Sequence, residues 1–267
     1  VGAVMAVAGA VAATCAVAGQ PLIVTLAAAL AIGIVCGLWN GILVAYLGIQ
    51  PFVATLVLMV AGRGVAQLIT EGSIVTFSNP ALIFVGTGNL FGLPMPAVIA
   101  IVLMIAAHLF MRRTAIGLFI EAIGINLSAA NYTGLRSKLV ILCIYAFGGF
   151  CAATAGIRGA DANNAGLWLE LDAILAVVIG GTSLLGGRFS IPMSVLGAII
   201  IQAMNTGVLV SGFPPEFNLI VKAGMIIIIL VLQSARIAQV LGRKFGPRQP
   251  AQTTSTKPSG QTSGQAR

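Results

Sequence analysis

Twenty-seven consecutive uncharged residues, PLIVTLAAALAIGIVCGLWNGILVAYL (21–47), constrain this chain more than any other feature. A bilayer core takes about 20 apolar residues in helical form. It offers no water to unpaired backbone groups, which leaves helices or closed barrels. Barrel strands alternate polar and apolar residues. This run is continuous and rich in Ala, Leu, Ile and Val, so it reads as helix. Its excess length implies a helix that is tilted or broken. The rest of the chain agrees: 58% is hydrophobic and 7% charged, where a soluble domain carries about a quarter charged residues.

Eight apolar spans follow one another at 1–18, 21–47, 51–70, 94–111, 137–157, 171–185, 189–210 and 217–234. The fold class is therefore all-α and polytopic, with one membrane domain over 1–235. Residues 236–267 turn basic and then run PRQPAQTTSTKPSGQTSGQAR, with too little apolar surface to fold. No basic N-terminal segment with a cleavage site opens the chain. It starts on VGAVMAVAGAVAAT, which reads as the inside of a longer membrane domain.

Orientation follows from Lys and Arg. With 112–138 in the cytoplasm and alternate crossings, the 186–188 turn and the tail also lie there, and that side collects 11 of the 14 basic residues. The same count puts residue 1 in the cytoplasm and Glu170 and Asp172 outside. A net charge of +8 is thus explained by topology rather than by nucleic acid.

Several motifs have plain readings. Gly33, Gly37 and Gly41 recur at helical spacing, which suits close packing of membrane helices. Cys15, Cys36, Cys143 and Cys151 lie in apolar runs, without metal or redox spacing, and read as small core residues. GGTSLLGGR (180–188) has the glycine spacing of a phosphate loop but lacks its Lys and Ser/Thr, so it reads as a short helix interrupted within the bilayer. GTGNLFG (86–92) reads as an external loop. His108 is the only histidine and reads as a packed residue. Glu170 and Asp172 suit a helix N-terminus, with a sugar-facing role as the alternative. Arg63 and Lys222 read as snorkelling side chains. Thr182, Ser183, Gln202 and Asn205 are polar residues expected on a path between helices.

The segment 114–137, which includes IEAIGINLSAANYTGL, is unusual for a connection between spans. Ile116, Phe119, Ile120, Ile123 and Leu127 share one helical face; Gly117, Glu121, Gly124, Ser128 and Asn131 share the other. Gly134 suits a helix end, and Ser137 the cap of the next helix. The polar face is nearly uncharged and small, which fits another protein's groove better than lipid headgroups. A break is expected near Gly124.

Here a resemblance becomes specific. Glu121, Ala122, Gly124, Ile125, Asn126, Ala129, Ala130 and Gly134 resemble the cytoplasmic coupling segment of ribose-type ABC importer permeases. ELDAILAVVIGGTSLLGGR (170–188) resembles a second signature of that family, and VGAVMAVAGAV and NGILVAYLGIQPFVATL (40–56) match as well. GRGVAQLIT (62–70), IRGADANNAGLWLELDAI (157–174) and SGFPPE (211–216) are similar to the galactofuranose branch. The resemblance covers about residues 1–235, and the family ordinarily carries further membrane helices ahead of this stretch.

The resemblance implies a type II importer architecture with no catalytic or metal site in this chain. ATP and Mg would belong to a separate ABC ATPase subunit, contacted through Glu121, Gly124, Asn126, Ser128, Ala129, Ala130 and Gly134. A periplasmic sugar-binding protein would dock outside, where Arg158, Asp161 and Glu216 are expected. A second permease copy, identical or paralogous, would complete the path in the bacterial inner membrane. The cargo would be a galactofuranose- or ribose-like monosaccharide. An ion-coupled secondary transporter is the rival; it usually shows acidic residues within the membrane, whereas those here map to span ends, outer loops and the coupling segment. An intramembrane enzyme is the second rival; the sequence offers no paired histidine and carboxylates for it, and no Ser with a plausible base.

Overall fold

The computed structural model describes residues 1–73, 80–90, 92–157, 166, 169–182, 186, 189–212, 214 and 217–233. In chain order the helices are α1 (Gly2–Val17), α2 (Leu22–Ala45), α3 (Pro51–Ile69), α4 (Pro80–Thr87), α5 (Met95–Arg113), α6 (Ala115–Ile125), α7 (Leu127–Tyr132), α8 (Ser137–Gly156), α9 (Leu169–Ile179), α10 (Ile191–Val210) and α11 (Phe217–Gln233). A two-residue hairpin, β1 (Asn89–Leu90) with β2 (Leu93–Pro94), lies between α4 and α5, pairing Asn89 with Pro94 and Leu90 with Leu93. The stretch read as a bare glycine-rich loop is thus the end of a short helix leading into a hairpin.

Two compact units divide the chain, Val1–Asn218 and Leu219–Arg267. In the second unit the described residues are the remainder of α11, a continuous helix to Gln233.

Five helices, α2, α3, α5, α8 and α10, are long and apolar enough to cross a membrane. Prolines open three of them, in the first turn of α3, α5 and α10, where a missing N–H leaves no bond unmade. Gly48, at φ +69°, lets α2 turn back towards α3. α2 is one unbroken helix of 24 residues, so its extra length does not break it.

The centre of the first unit is α1, with Ala6, Ala8, Ala10, Ala12 and Ala13 all buried. A helix apolar on every side belongs inside. Ala6, Val7 and Ala10 meet Ala66 of α3; Ala8 and Ala12 meet Ala29 of α2, Ala153 of α8 and Ile157 just after it. α2 and α8 lie closest of all. A Cβ added at Gly33 would strike Ala153 and the Gly149 carbonyl, one at Gly37 the Tyr145 carbonyl, and one at Gly41 Leu142. The glycine stripe is therefore a packing seam. The outward faces carry large apolar groups, among them Val60 and Leu68 of α3, Val102 and Leu109 of α5, and Ile199 and Val210 of α10. α5 buries no residue at all. Apolar exposure on this scale fits a lipid-facing surface. Cys143 is exposed on that surface and the other three cysteines are half-buried, so none is a fully enclosed core residue.

α9 has 11 residues, about 16 Å of helix, and reaches only part-way across a 30 Å core. It lies against α10, with Gly180 on Met193 and Ser194 and Gly197 on Ala176. Its first residue consequently stands roughly 9 Å short of the far end of α10. Glu170 meets the start of α1: Gly2 N donates to Glu170 Oε1 at 2.8 Å, where Ala3 lies beside Gly62 of α3. Residue 1 and Glu170 therefore stand at one level, not on opposite sides as the crossing count required. The count misplaces these two ends because it starts both α1 and α9 at a membrane face, whereas both helices are shorter than the spanning ones.

Candidate coupling segment and membrane cavities

The amphipathic stretch folds as two helices, α6 and α7, at a corner after α5. Thr114 is extended, and its hydroxyl donates to Phe110 O at 2.6 Å, closing α5. Gly117 is buried against the Met111 carbonyl, where a Cβ has no room. It belongs to the corner and not to an outward polar face. The break falls at Asn126, two residues after Gly124. Asn126 is extended at φ −155°, and its Oδ1 accepts from Ala129 N at 3.0 Å as the N-cap of α7.

α7 is tied to α8 in turn. Gly134 turns the chain at φ +83°, a conformation that costs glycine little. Ser137 Oγ donates to Asn131 Oδ1. Ser137 is the first residue of α8 and Arg136 its N-cap, so Ser137 holds α7 instead of capping its own helix. Lys138 Nζ sits 5.5 Å from the Tyr46 ring centroid, linking the start of α8 to the end of α2.

The expected coupling residues divide into two groups. Gly124, Asn126, Ser128, Ala129 and Gly134 are exposed, whereas Ala130 is buried within the subunit. Glu121 is half-buried and lines a cavity of about 440 Å³ with His108, Arg112, Thr114 and Ser190, between α5, α6 and the start of α10. Gly186 packs on the Gly124 carbonyl, bracing α6 from the segment between α9 and α10. Large apolar groups stand open here, among them Leu118, Ile125, Leu127 and Tyr132, the last 92% exposed. The sequence placed Leu127 on the apolar face with Ile116, Phe119, Ile120 and Ile123 and gave Tyr132 no role. The break at Asn126 turns α7 out of register with α6, so a single helical wheel cannot assign them.

The expected path residues do not meet in one cavity. Thr182 Oγ1 lies 3.5 Å from Ser194 Oγ, either one able to donate, near the first turn of α10. Asn205 is eleven residues further along α10, about 16 Å away. Its Oδ1 is buried without a hydrogen-bond partner among the described residues. Gln202 is exposed in an open groove of about 610 Å³ with Ala203, Thr206 and Gly207. Ser183, Arg158, Asp161 and Glu216 lie outside the described residues.

A further cavity, of about 550 Å³, opens between α1, α2, α3 and α9. Asn40, Thr55, Arg63 and Glu170 supply its polar lining. Arg63, read as a snorkelling side chain, faces this space between helices. Asn40 is 6% exposed.

Comparison with known proteins places these features in context. The family described as "Branched-chain amino acid transport system / permease component" matches residues 1–230. The chain is 59% identical over 247 residues to the galactofuranose transporter permease protein YtfT of Escherichia coli (strain K12), covering 90% of this chain and 72% of that one. It is 42% identical to the fructose import permease protein FruF of Bifidobacterium longum (strain NCC 2705), over 89% of this chain and 69% of that one. It is 36% identical to the ribose import permease protein RbsC of Escherichia coli (strain K12), over 88% and 76%. No solved structure matches it.

Proposed function

Because the chain belongs to the family of branched-chain amino acid transport system permease components, we propose that it is the membrane-spanning subunit of an ATP-driven importer whose cargo is a monosaccharide. One observation carries the choice of sugar over amino acid. Relatives at 59%, 42% and 36% identity are named for galactofuranose, fructose and ribose. The subunit is not an enzyme; it is a multi-pass protein of the inner membrane. Energy comes from ATP and Mg on a separate ATPase subunit, and sugar from a periplasmic binding protein.

The exposed part of the α6–α7 segment and its following turn, Gly124, Asn126, Ser128, Ala129 and Gly134, is the proposed seat of the ATPase, and Glu121 and Ala130 support it from within. Support for this reading is the absence of charge and large polar groups from that surface. The excess of Lys and Arg favours a cytoplasmic location for the segment and the C-terminus. Two copies, or one copy and a paralogue, enclose the path, with Thr182, Ser183, Gln202 and Asn205 as its proposed polar lining. Arg158, Asp161 and Glu216 form the proposed contact with the binding protein.

The test is reconstitution of the full complex in liposomes, with binding protein outside and ATP inside. D-galactose, D-ribose and D-fructose are each supplied radiolabelled. Uptake of at least one sugar that depends on both components is expected. Uptake driven by a proton or sodium gradient without ATP would overturn the reading, as would ATP-driven uptake of leucine but no sugar.

A further inference from the structure

The cavity between α1, α2, α3 and α9 is set apart by one side chain. Asn40 lies on α2 among small and apolar residues, 6% exposed, and its Oδ1 meets no hydrogen-bond donor among the described residues. A buried amide oxygen left in that state is costly, and its partner is normally present in the protein or its ligand. Asn40 faces the 550 Å³ space that Thr55, Arg63 and Glu170 also line. That volume falls within the range of about 300–1,000 Å³ typical of small-molecule sites.

The chemistry of the lining selects a class of ligand. An amide donates and accepts, a hydroxyl does both, and a carboxylate accepts. Thr55 Oγ1 donates to Phe52 O at 2.9 Å, which leaves its lone pairs to accept. Glu170 Oε1 accepts from Gly2 N at 2.8 Å, which fixes the carboxylate at the cavity wall. Phe52, Met59 and Leu171 supply apolar surface beside these groups. A neutral polyhydroxyl compound, with O–H groups that donate and accept and C–H faces that are apolar, matches this mixture. An acyl chain would leave the polar groups unmet.

We propose that this cavity is a sugar-binding station on the route through the membrane, with the Asn40 amide, the Thr55 hydroxyl and the Glu170 carboxylate as its hydrogen-bonding groups. This rests on the importer reading and names residues that reading does not use. The sugar rests there briefly, after release by the binding protein and before passage to the cytoplasmic side.

The test uses the full complex in liposomes with whichever of D-galactose, D-ribose or D-fructose the unaltered complex carries. Asn40→Leu keeps the branched shape, at a somewhat larger volume, and removes the hydrogen bonds. Uptake is expected to fall about tenfold, the factor of one lost substrate hydrogen bond. Discrimination between the sugar and its deoxy analogues should also narrow, a change that loss of packing alone does not cause. Co-purification of the ATPase shows whether the variant assembles. As a second measurement, Thr55→Cys, with the four native cysteines replaced, should react with a small water-soluble thiol reagent, more slowly when sugar is saturating. Unchanged uptake and discrimination in Asn40→Leu, or labelling of the Thr55→Cys variant that is absent or indifferent to sugar, overturns the station while the importer reading stands. An unaltered complex that carries no sugar overturns both.

Discussion

At the residue scale, Asn126 shows how a side chain in the proposed coupling surface can still be explained by local chemistry. Its Oδ1 caps α7 through Ala129 N, an interaction that contributes about 1 kcal/mol. Asn126→Asp retains the acceptor and should leave ATP-driven uptake close to normal. Asn126→Ala removes it and should loosen α7 and lower uptake severalfold. Hydrogen exchange at Ala129 and Ala130, measured beside uptake, checks this. If Asp fails as badly as Ala, the amide serves a partner and not the cap. The sequence suggested a break near Gly124 but did not identify the cap, because an Asn within an apolar helical pattern gives no outward sign of which N–H it will accept. Glu170 was harder still. Its bond to Gly2 N joins residues 168 positions apart, and no local pattern carries such a pairing.

At the scale of elements, the sequence was most legible where apolar runs were longest. The spans expected at 21–47, 51–70, 94–111, 137–157 and 189–210 appear as α2, α3, α5, α8 and α10, within a few residues at each end. Hydrophobicity alone fixes such segments, because each must satisfy its own backbone. The partial helix α9 was marked as short from the glycines that end it, yet its depth depends on where it docks against α10. The glycines of α2 announced a close contact without naming the partner. That partner is α8, and the contact makes a sharp prediction. Gly33→Val must displace the Gly149 carbonyl or Ala153, a distortion that costs about 1–3 kcal/mol or more. Gly64→Val on α3 meets nothing within 4 Å. The first variant should lower the thermal stability of the detergent-solubilised subunit clearly and the second little. Equal effects would remove the seam as the explanation.

At the scale of the whole molecule, the first unit inverts the usual arrangement of a folded chain: small residues fill its centre, and large apolar residues face outwards. Composition foretold the membrane but not the inversion, since it records amounts and not positions. The α6–α7 surface also leaves Ile125, Leu127 and Tyr132 open. Exposed Tyr is a frequent anchor of protein interfaces. Tyr132→Ala should therefore reduce co-purification of the ATPase while membrane insertion is unaffected; full recovery of the complex would exclude Tyr132 as an anchor. The seam between α2 and α8 has a mechanical meaning as well. Two rods in backbone contact cannot be squeezed closer and slide only against interlocked ridges, so the pair bends as one strut. α7 is fastened to the near end of that strut through Asn131 and Ser137. A push delivered at the fastening is then carried along the strut as a tilt, with little lost to elastic give on the way.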